Sequence, residues 1–246
     1  KGHIEIMGGA KKYEKHLEDM FNASSITSGR EQPDVTGLIG QYAHGNEPSH
    51  HMGYLYNYVG APHKTQKIVH EIMTSQYSEF PDGLSGNEDC GQMSAWYVLS
   101  SMGFYPVTPG SNEYIIGTPL FKKTTINLEN GKQFTIHAEN VSATHIYIEK
   151  AFLNDVELNR TYLKHDEIMR GGHLTFHMSN TPSEWGTYEG QEPITTIKEY
   201  PITPAPFISG GDIAFKNKTM VSLANSMKEA IIFYSVDSEN FKEYSS

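Results

Sequence analysis

Apolar positions recur at helical spacing through the first hundred residues and then change to an alternating pattern. In AKKYEKHLEDMF, Tyr13, Leu17, Met20 and Phe21 share one face and the charges take the other, which predicts an amphipathic helix. APHKTQKIVHEIMTSQY carries Pro62 near its first turn and gathers Ile68, Ile72 and Met73 on one side. Between them MGYLYNYVG is short, tyrosine-rich and stopped at Gly60. CGQMSAWYVLSSMGF continues the helical pattern with Met93, Trp96, Tyr97 and Ser100, and Gly103 suits the position just past a helix end.

After Pro106 the period shortens. EYIIG, TTINL, QFTIHAE, THIYIEKAFLN and HLTFHMS alternate or are β-branched, and turn residues bound them. Asn130-Gly131 and Gly171-Gly172 predict tight hairpin turns. Such short strands predict an antiparallel β-sandwich. The expected organisation is a helical region over 1–106, a sandwich over 107–186, and a linker with a partial further β module over 187–246. The linker reading rests on the polar, proline-bearing stretch Thr187–Ile202, the module on AFKNKTMVSLANS and AIIFYSVDS. The fold class is therefore mixed α and β.

Charge and composition exclude several functions. With 29 Asp+Glu against 19 Lys+Arg and no basic cluster, nucleic acid is not a partner. The single cysteine, Cys90, excludes an internal disulfide and a cysteine-based zinc site. No apolar run is long enough to cross a bilayer, and no signal peptide is visible. The chain lacks an initiator Met and starts inside a helical pattern, which predicts a piece of something longer. Fifteen tyrosines favour sugar or base stacking only weakly, because tyrosine also fills cores.

Two clusters carry candidate chemistry. In GNEDCGQMSAW, Asn87, Glu88 and Asp89 precede a helix, and Asp89 stands where an N-cap belongs. A carboxylate there gains from the free backbone N–H groups and the helix dipole, which lowers its pKa. In GQYAHGNEPSHHMGY, His44, Asn46, Glu47, His50 and His51 crowd one loop-to-helix junction. The Asn and Glu oxygens suit a hard cation such as calcium. Adjacent His50 and His51 cannot share a helix face, unlike the i, i+4 pair of a zinc protease. Capping and core packing are the plain alternative for both clusters. If helical hairpins bring both junctions to one end, their carboxylates can meet over a ligand. Two carboxylates with separate roles are what inverting glycoside hydrolysis needs. His137, His145, His173 and His177 fall in apparent strands, and His173 and His177 suggest partly exposed sandwich positions instead of a metal site. No GxSxG, phosphate-binding loop or dinucleotide fingerprint is present.

GQYAHGNEPSHHMGYLYNYVGAPHKTQ, PDGLSGNEDCGQMSAWYVLSSMGFYPVTPG and YIIGTPLF together resemble glycoside hydrolase family 92, from the start of the chain to about Trp185. The end resembles a chitobiase-type C-terminal β module. The resemblance implies an exo-acting α-mannosidase, mostly known from bacteria. Its fold would be an (α/α)6 catalytic domain with β-sandwich structure, and its mechanism calcium-dependent inversion, the cation bridging O2 and O3 of mannose. Carried over, Asp89 is the general base and Asn87 orients the water, where some members have a second acid. Asn46 and Glu47 contribute to calcium, and His44, Glu47, His50 and His51 to the mannose site. The partners implied are mannose-containing glycans, in a periplasmic, secreted or cell-surface location. The family's proton donor, a Glu in a motif of the type E-G-N-x-W-Q-Y, has no match here. The acid is therefore expected before Lys1, and this chain alone is expected to be inactive. Linkage preference is expected to come from loops such as Thr27–Gly37.

Two rivals stand beside this reading. One is a non-catalytic carbohydrate-binding or scaffold protein derived from such a hydrolase. The other is a phosphorylase on a similar barrel, which needs basic side chains around phosphate; none lies between Lys67 and Lys122.

Overall fold

A computed structural model describes residues 1–28, 35–193, 203–227 and 229–245. Residues Lys1–Thr195 form one compact unit and Thr196–Ser246 a second.

The first unit begins with helices α1 (Gly2–Ile6) and α2 (Ala10–Asn22), then a hairpin of β1 (Leu38–Ile39) and β2 (Tyr42–Ala43). Two 3-10 segments follow, Glu47–Ser49 and Met52–Val59, and then helices α3 (Pro62–Ser75) and α4 (Gln92–Ser101). The predicted apolar faces are the buried ones: Tyr13, Leu17 and Phe21 on α2, Ile68, Ile72 and Met73 on α3. Pro62 opens α3, where its missing N–H costs nothing. Gly103, at φ 102°, stands just beyond α4 and donates its N–H to the Ser100 carbonyl. These faces converge with Tyr42, Tyr54, Tyr56 and Trp96 into one core.

A second core lies between two sheets. Strands β3 (Phe104–Tyr105), β4 (Glu113–Ile116) and β9 (Tyr162–Lys164) make a three-stranded sheet in the order β3-β4-β9. Strands β5 (Lys123–Asn127), β6 (Gln133–Glu139), β7 (Tyr147–Leu153), β8 (Val156–Glu157) and β10 (Gly172–Ser179) make a five-stranded sheet, β5-β6-β10-β7-β8. Alternation along β6 and β10 sends Phe134, Ile136, Leu174 and Phe176 inward, where they meet Phe104, Ile116 and Leu163 of the other sheet. Each such buried side chain contributes roughly 1.5–3 kcal/mol.

Two expectations need correcting. The large sheet is not wholly antiparallel, since β6 and β10 run parallel, Leu174 opposite Ile136. A parallel neighbour requires a crossover, and β7–β9 and helix α5 (His165–Met169) supply it. Gly171-Gly172 accordingly joins α5 to β10 and not strand to strand. Both residues have positive φ, and a Cβ on Gly172 would fall 2.0 Å from Asn154 Oδ1. Asn130-Gly131 does close the β5–β6 hairpin as predicted.

Polar side chains tie the helices to the sheets. Asn57, fully buried, donates to the Ile116 carbonyl at 2.7 Å, and Gln66 accepts from the Ile148 N–H at 3.2 Å.

The second unit holds two short antiparallel pairs. β11 (Phe207–Gly210) pairs with β12 (Ser222–Ala224), and β13 (Phe233–Tyr234) with β14 (Lys242–Glu243). None of its described residues is buried. The C-terminal part of the expected linker, residues 194–202, lies outside the described residues, as do 29–34 of the Thr27–Gly37 loop.

Candidate active site

Two loops of the first unit carry the predicted chemistry, and they touch through glycines. The first, residues 44–51, follows β2; the second, residues 85–91, precedes α4. A Cβ on Gly45 would fall 2.9 Å from the Ser85 carbonyl oxygen and 2.0 Å from Thr36 Oγ1. A Cβ on Gly86 would fall 3.2 Å from Gly45 Cα. With no side chain between them the two backbones stack, and the Gly45 N–H donates to the Thr36 carbonyl at 3.1 Å. This approach sets the Glu47 carboxylate in hydrogen-bond contact with that of Asp89.

Asp89 is not the helix cap. The chain passes through three consecutive left-handed residues, Asp89 (φ 50°), Cys90 (φ 58°) and Gly91 (φ 94°), and Gly91 takes the cap position of α4. Such conformations cost of order 1 kcal/mol or more for a residue with a Cβ, and they gather where a site dictates geometry. The capping work falls to Glu88. Its Oε1 accepts the Ser94 N–H at 3.1 Å and its Oε2 the Ser94 hydroxyl at 2.9 Å. Asp89 is thereby released from the helix terminus and left exposed. Its pKa moves up, opposite to the helix-dipole expectation. The hydrogen bond that protonated Asp89 donates to Glu47 is the largest cause, followed by desolvation and the Glu47 charge.

Asn46 leads into the 3-10 turn Glu47–Ser49 with extended backbone, half-buried beside Glu47. Asn87 is exposed two residues before Asp89. These oxygens fit a hard cation in kind: two carboxylates held together, with Asn amides adjacent in sequence and no Lys or Arg salt bridge to either acid among the described residues. They fall short in number. Among the described residues no group of three His, Cys, Asp or Glu could hold a metal alone.

The histidines sit beneath the loop. His44 is fully buried, its Nδ1 2.7 Å from the Tyr42 hydroxyl and its Nε2 2.6 Å from that of Tyr77. Tyr77 gives its one hydroxyl hydrogen to the Met93 carbonyl at 3.2 Å, so His44 Nε2–H donates to Tyr77. Burial, then the neighbouring His50, lowers the His44 pKa to about 3, so the ring is neutral. His50 stacks on His44 with centroids 4.8 Å apart. Its Nε2 lies 3.0 Å from the His44 carbonyl and its Nδ1 3.1 Å from Gln92 Nε2. The Trp96 indole N–H donates to the His50 carbonyl at 3.1 Å. All four ring nitrogens are engaged inside the protein, so His44 and His50 reach a ligand only by holding the loop. His51 is half-exposed and opens the 3-10 segment Met52–Val59.

Sequence reasoning did not single out Tyr42, Tyr77, Gln92 or Tyr105 as parts of this foundation. Only the fold reveals what the Gln92 amide meets. The one available signal was density: three histidines, two glutamines and a tryptophan within two short motifs.

The model of the glycosyl hydrolase family 92 catalytic domain matches residues 1–180. The chain belongs to this family. It is 39% identical to a family 92 α-mannosidase from Bacteroides thetaiotaomicron solved with mannoimidazole. That match has a TM-score of 0.73 and covers 76% of this chain and 25% of that one. A family 92 inverting mannosidase from the same organism is 42% identical, with a TM-score of 0.67 over 77% of this chain and 27% of its own. An uncharacterized secreted glycosidase from Arthroderma benhamiae is 29% identical over 193 residues, 77% of this chain and 23% of its own length. The family 92 chain thus spans about a quarter of the length of these relatives. No helix among its described residues is long and apolar enough to cross a membrane.

Proposed function

We propose that this family 92 chain supplies the water-activating side of a calcium-assisted, inverting exo-α-mannosidase acting on terminal mannose of glycans outside the cytoplasm. The observation that carries the reading is the contact between Glu47 and Asp89. In inverting glycosidases the acid and base stand about 6.5–9.5 Å apart, with the sugar and a water between them. Glu47 and Asp89 share a hydrogen bond, so they are not that pair. Asp89 is the base, exposed and free of the helix cap. Asn87 orients the attacking water. The acid comes from a part of the relatives' length that this chain does not span, as do the remaining helices of an (α/α)6 barrel.

Glu47 and Asn46 would hold the calcium ion, together with oxygens from outside these two loops. A bound calcium ion supplies fixed positive charge for recognising vicinal sugar hydroxyls. Glu47 serves mannose and metal together, and His51 is the histidine placed to touch sugar.

The test is Asp89→Asn in the full-length enzyme. Hydrolysis of an α-mannoside should be lost while mannose binding persists, and unchanged turnover would remove Asp89 from the mechanism. EDTA should abolish activity and calcium restore it. A full-length enzyme that binds mannose but never hydrolyses it would favour the carbohydrate-binding alternative. Ordinary turnover by the present chain alone would refute the missing acid.

A further inference from the structure

Resting on the role given to Glu47 and Asp89, we propose that Gln92 is a positioning residue that fixes the tautomer of His50 and thereby the loop carrying Glu47. Gln92 Nε2 lies 3.1 Å from His50 Nδ1 and 3.0 Å from the Tyr105 hydroxyl. An amide nitrogen has two hydrogens to give and accepts none, so both partners are acceptors. His50 Nδ1 is therefore unprotonated and its hydrogen sits on Nε2. That nitrogen lies 3.0 Å from the His44 carbonyl, which can only accept. The two contacts demand the same tautomer. The other would set N–H against N–H at Gln92 and a lone pair against a carbonyl at His44.

The consequence reaches both carboxylates. Through the His50 ring, Gln92 pins the His44 carbonyl at the start of the Glu47 loop. Trp96, one turn further along α4, pins the His50 carbonyl at its end. Between these anchors the turn bearing Glu47 closes on itself, Ser49 N–H to Asn46 O at 2.9 Å and His50 N–H to Glu47 O at 3.0 Å. The backbone N–H of Gln92 meanwhile donates to the Asp89 carbonyl at 3.3 Å. One residue in the first turn of α4 thus holds Asp89 by its main chain and the Glu47 loop by its side chain. Neither end of Gln92 needs to meet the sugar.

The test has two arms. In this chain, nitrogen-detected NMR of the imidazoles should show His50 as the Nε2–H tautomer. Gln92→Met, close in volume and apolar, leaves the His44 carbonyl as the sole hold on the Nε2 hydrogen and should raise the share of the other tautomer. Gln92→Glu places an acceptor opposite Nδ1 and should add a hydrogen there while the His44 carbonyl keeps the one on Nε2, giving the doubly protonated ring. Tyr105→Phe should leave His50 unchanged, since it removes only the other acceptor. In the full-length enzyme, Gln92→Met should lower kcat about 10- to 100-fold, the range seen when supporting hydrogen bonds are lost. KM and thermal midpoint should stay near the parent's, and Gln92→Glu should not rescue activity. Unchanged His50 signals in Gln92→Met, or an activity loss that only follows the thermal midpoint, would overturn the proposal. If the tautomer responds as described but the full-length parent hydrolyses no mannoside, the mannosidase reading fails and the positioning role stands.

Discussion

The two cores of the first unit are built from different chemistry. The core between the sheets is aliphatic and phenyl: Phe134, Ile136, Ile148, Leu174 and Phe176 are closed to solvent. The helical core is aromatic and polar, with Tyr42, Tyr54 and Trp96 packed around buried His44, His50 and Ser100. The first kind tolerates imprecise fit, because dispersion and burial have no direction. In the second the ring nitrogens of His44 and His50 each meet a partner at a fixed angle, and that linked set of hydrogen bonds specifies one geometry. The protein places its carboxylate pair, exposed Asp89 and half-buried Glu47, beside the second kind. Orientation, and not stability alone, is what the helical core supplies.

The sharpest separation of the two roles comes from Asp89→Asn. Activity of the full-length enzyme should drop about 10²- to 10⁴-fold, the usual contribution of a general base. The thermal midpoint should hold, since the side chain is exposed and caps nothing. Phe176→Ala should do the reverse, costing about 3–5 kcal/mol in denaturant unfolding and leaving kcat of the folded fraction intact. Equal damage to kcat by both variants would erase the distinction between the cores.

Gly45→Ala should strike both properties. The added methyl meets the rigid Ser85 backbone at 2.9 Å, so the loops must separate, costing about 1–3 kcal/mol and moving Glu47 away from Asp89. Acid sharpens the comparison further. The unfolded chain takes up a proton on His44 below pH about 6.5, whereas the folded chain refuses it until about pH 3. Stability should therefore fall as pH drops from 6.5 toward 3, by up to about 1.4 kcal/mol per unit. Trp96 reports the helical core and Trp185 the sheet core, so single-tryptophan variants can follow each. In the sheet region Glu167 is held by Arg160 at 2.6 Å and its pKa is lowered against the cost of burial. Its contribution is complete above its ordinary carboxylate pKa and is lost only as pH falls below it. Acid sensitivity beginning at the carboxylate range in both reporters would contradict a neutral buried His44. The smallest effect is Glu88→Ala, about 1 kcal/mol from the lost cap of α4, measurable by urea midpoint.

Element types were largely legible in the chain. The faces of α2 and α3 followed from the 3.6 period, and β4, β5, β6, β7 and β10 from alternation, because local burial patterns write themselves into spacing. The parallel β6–β10 pair was not legible, since spacing shows that a strand has two faces and not which neighbour it takes. At the site, the residue types in the two motifs pointed to carboxylate chemistry. Their division of labour did not follow. Asp89 occupied the statistical cap position, yet the left-handed run Asp89-Cys90-Gly91 swings it away and Glu88 reaches Ser94 in its place.

By itself, then, the sequence determined the helices, most strands and the two motifs that place this chain in its family, because each depends on residues close along the chain. Tertiary structure alone decided that Glu47 touches Asp89, that His44 and His50 face inward, and that Gln92 joins them. Those facts depend on how closely two loops more than forty residues apart can approach. Gly45 and Gly86 set that distance by what they lack, a Cβ, and only packing reveals what an absent atom makes room for.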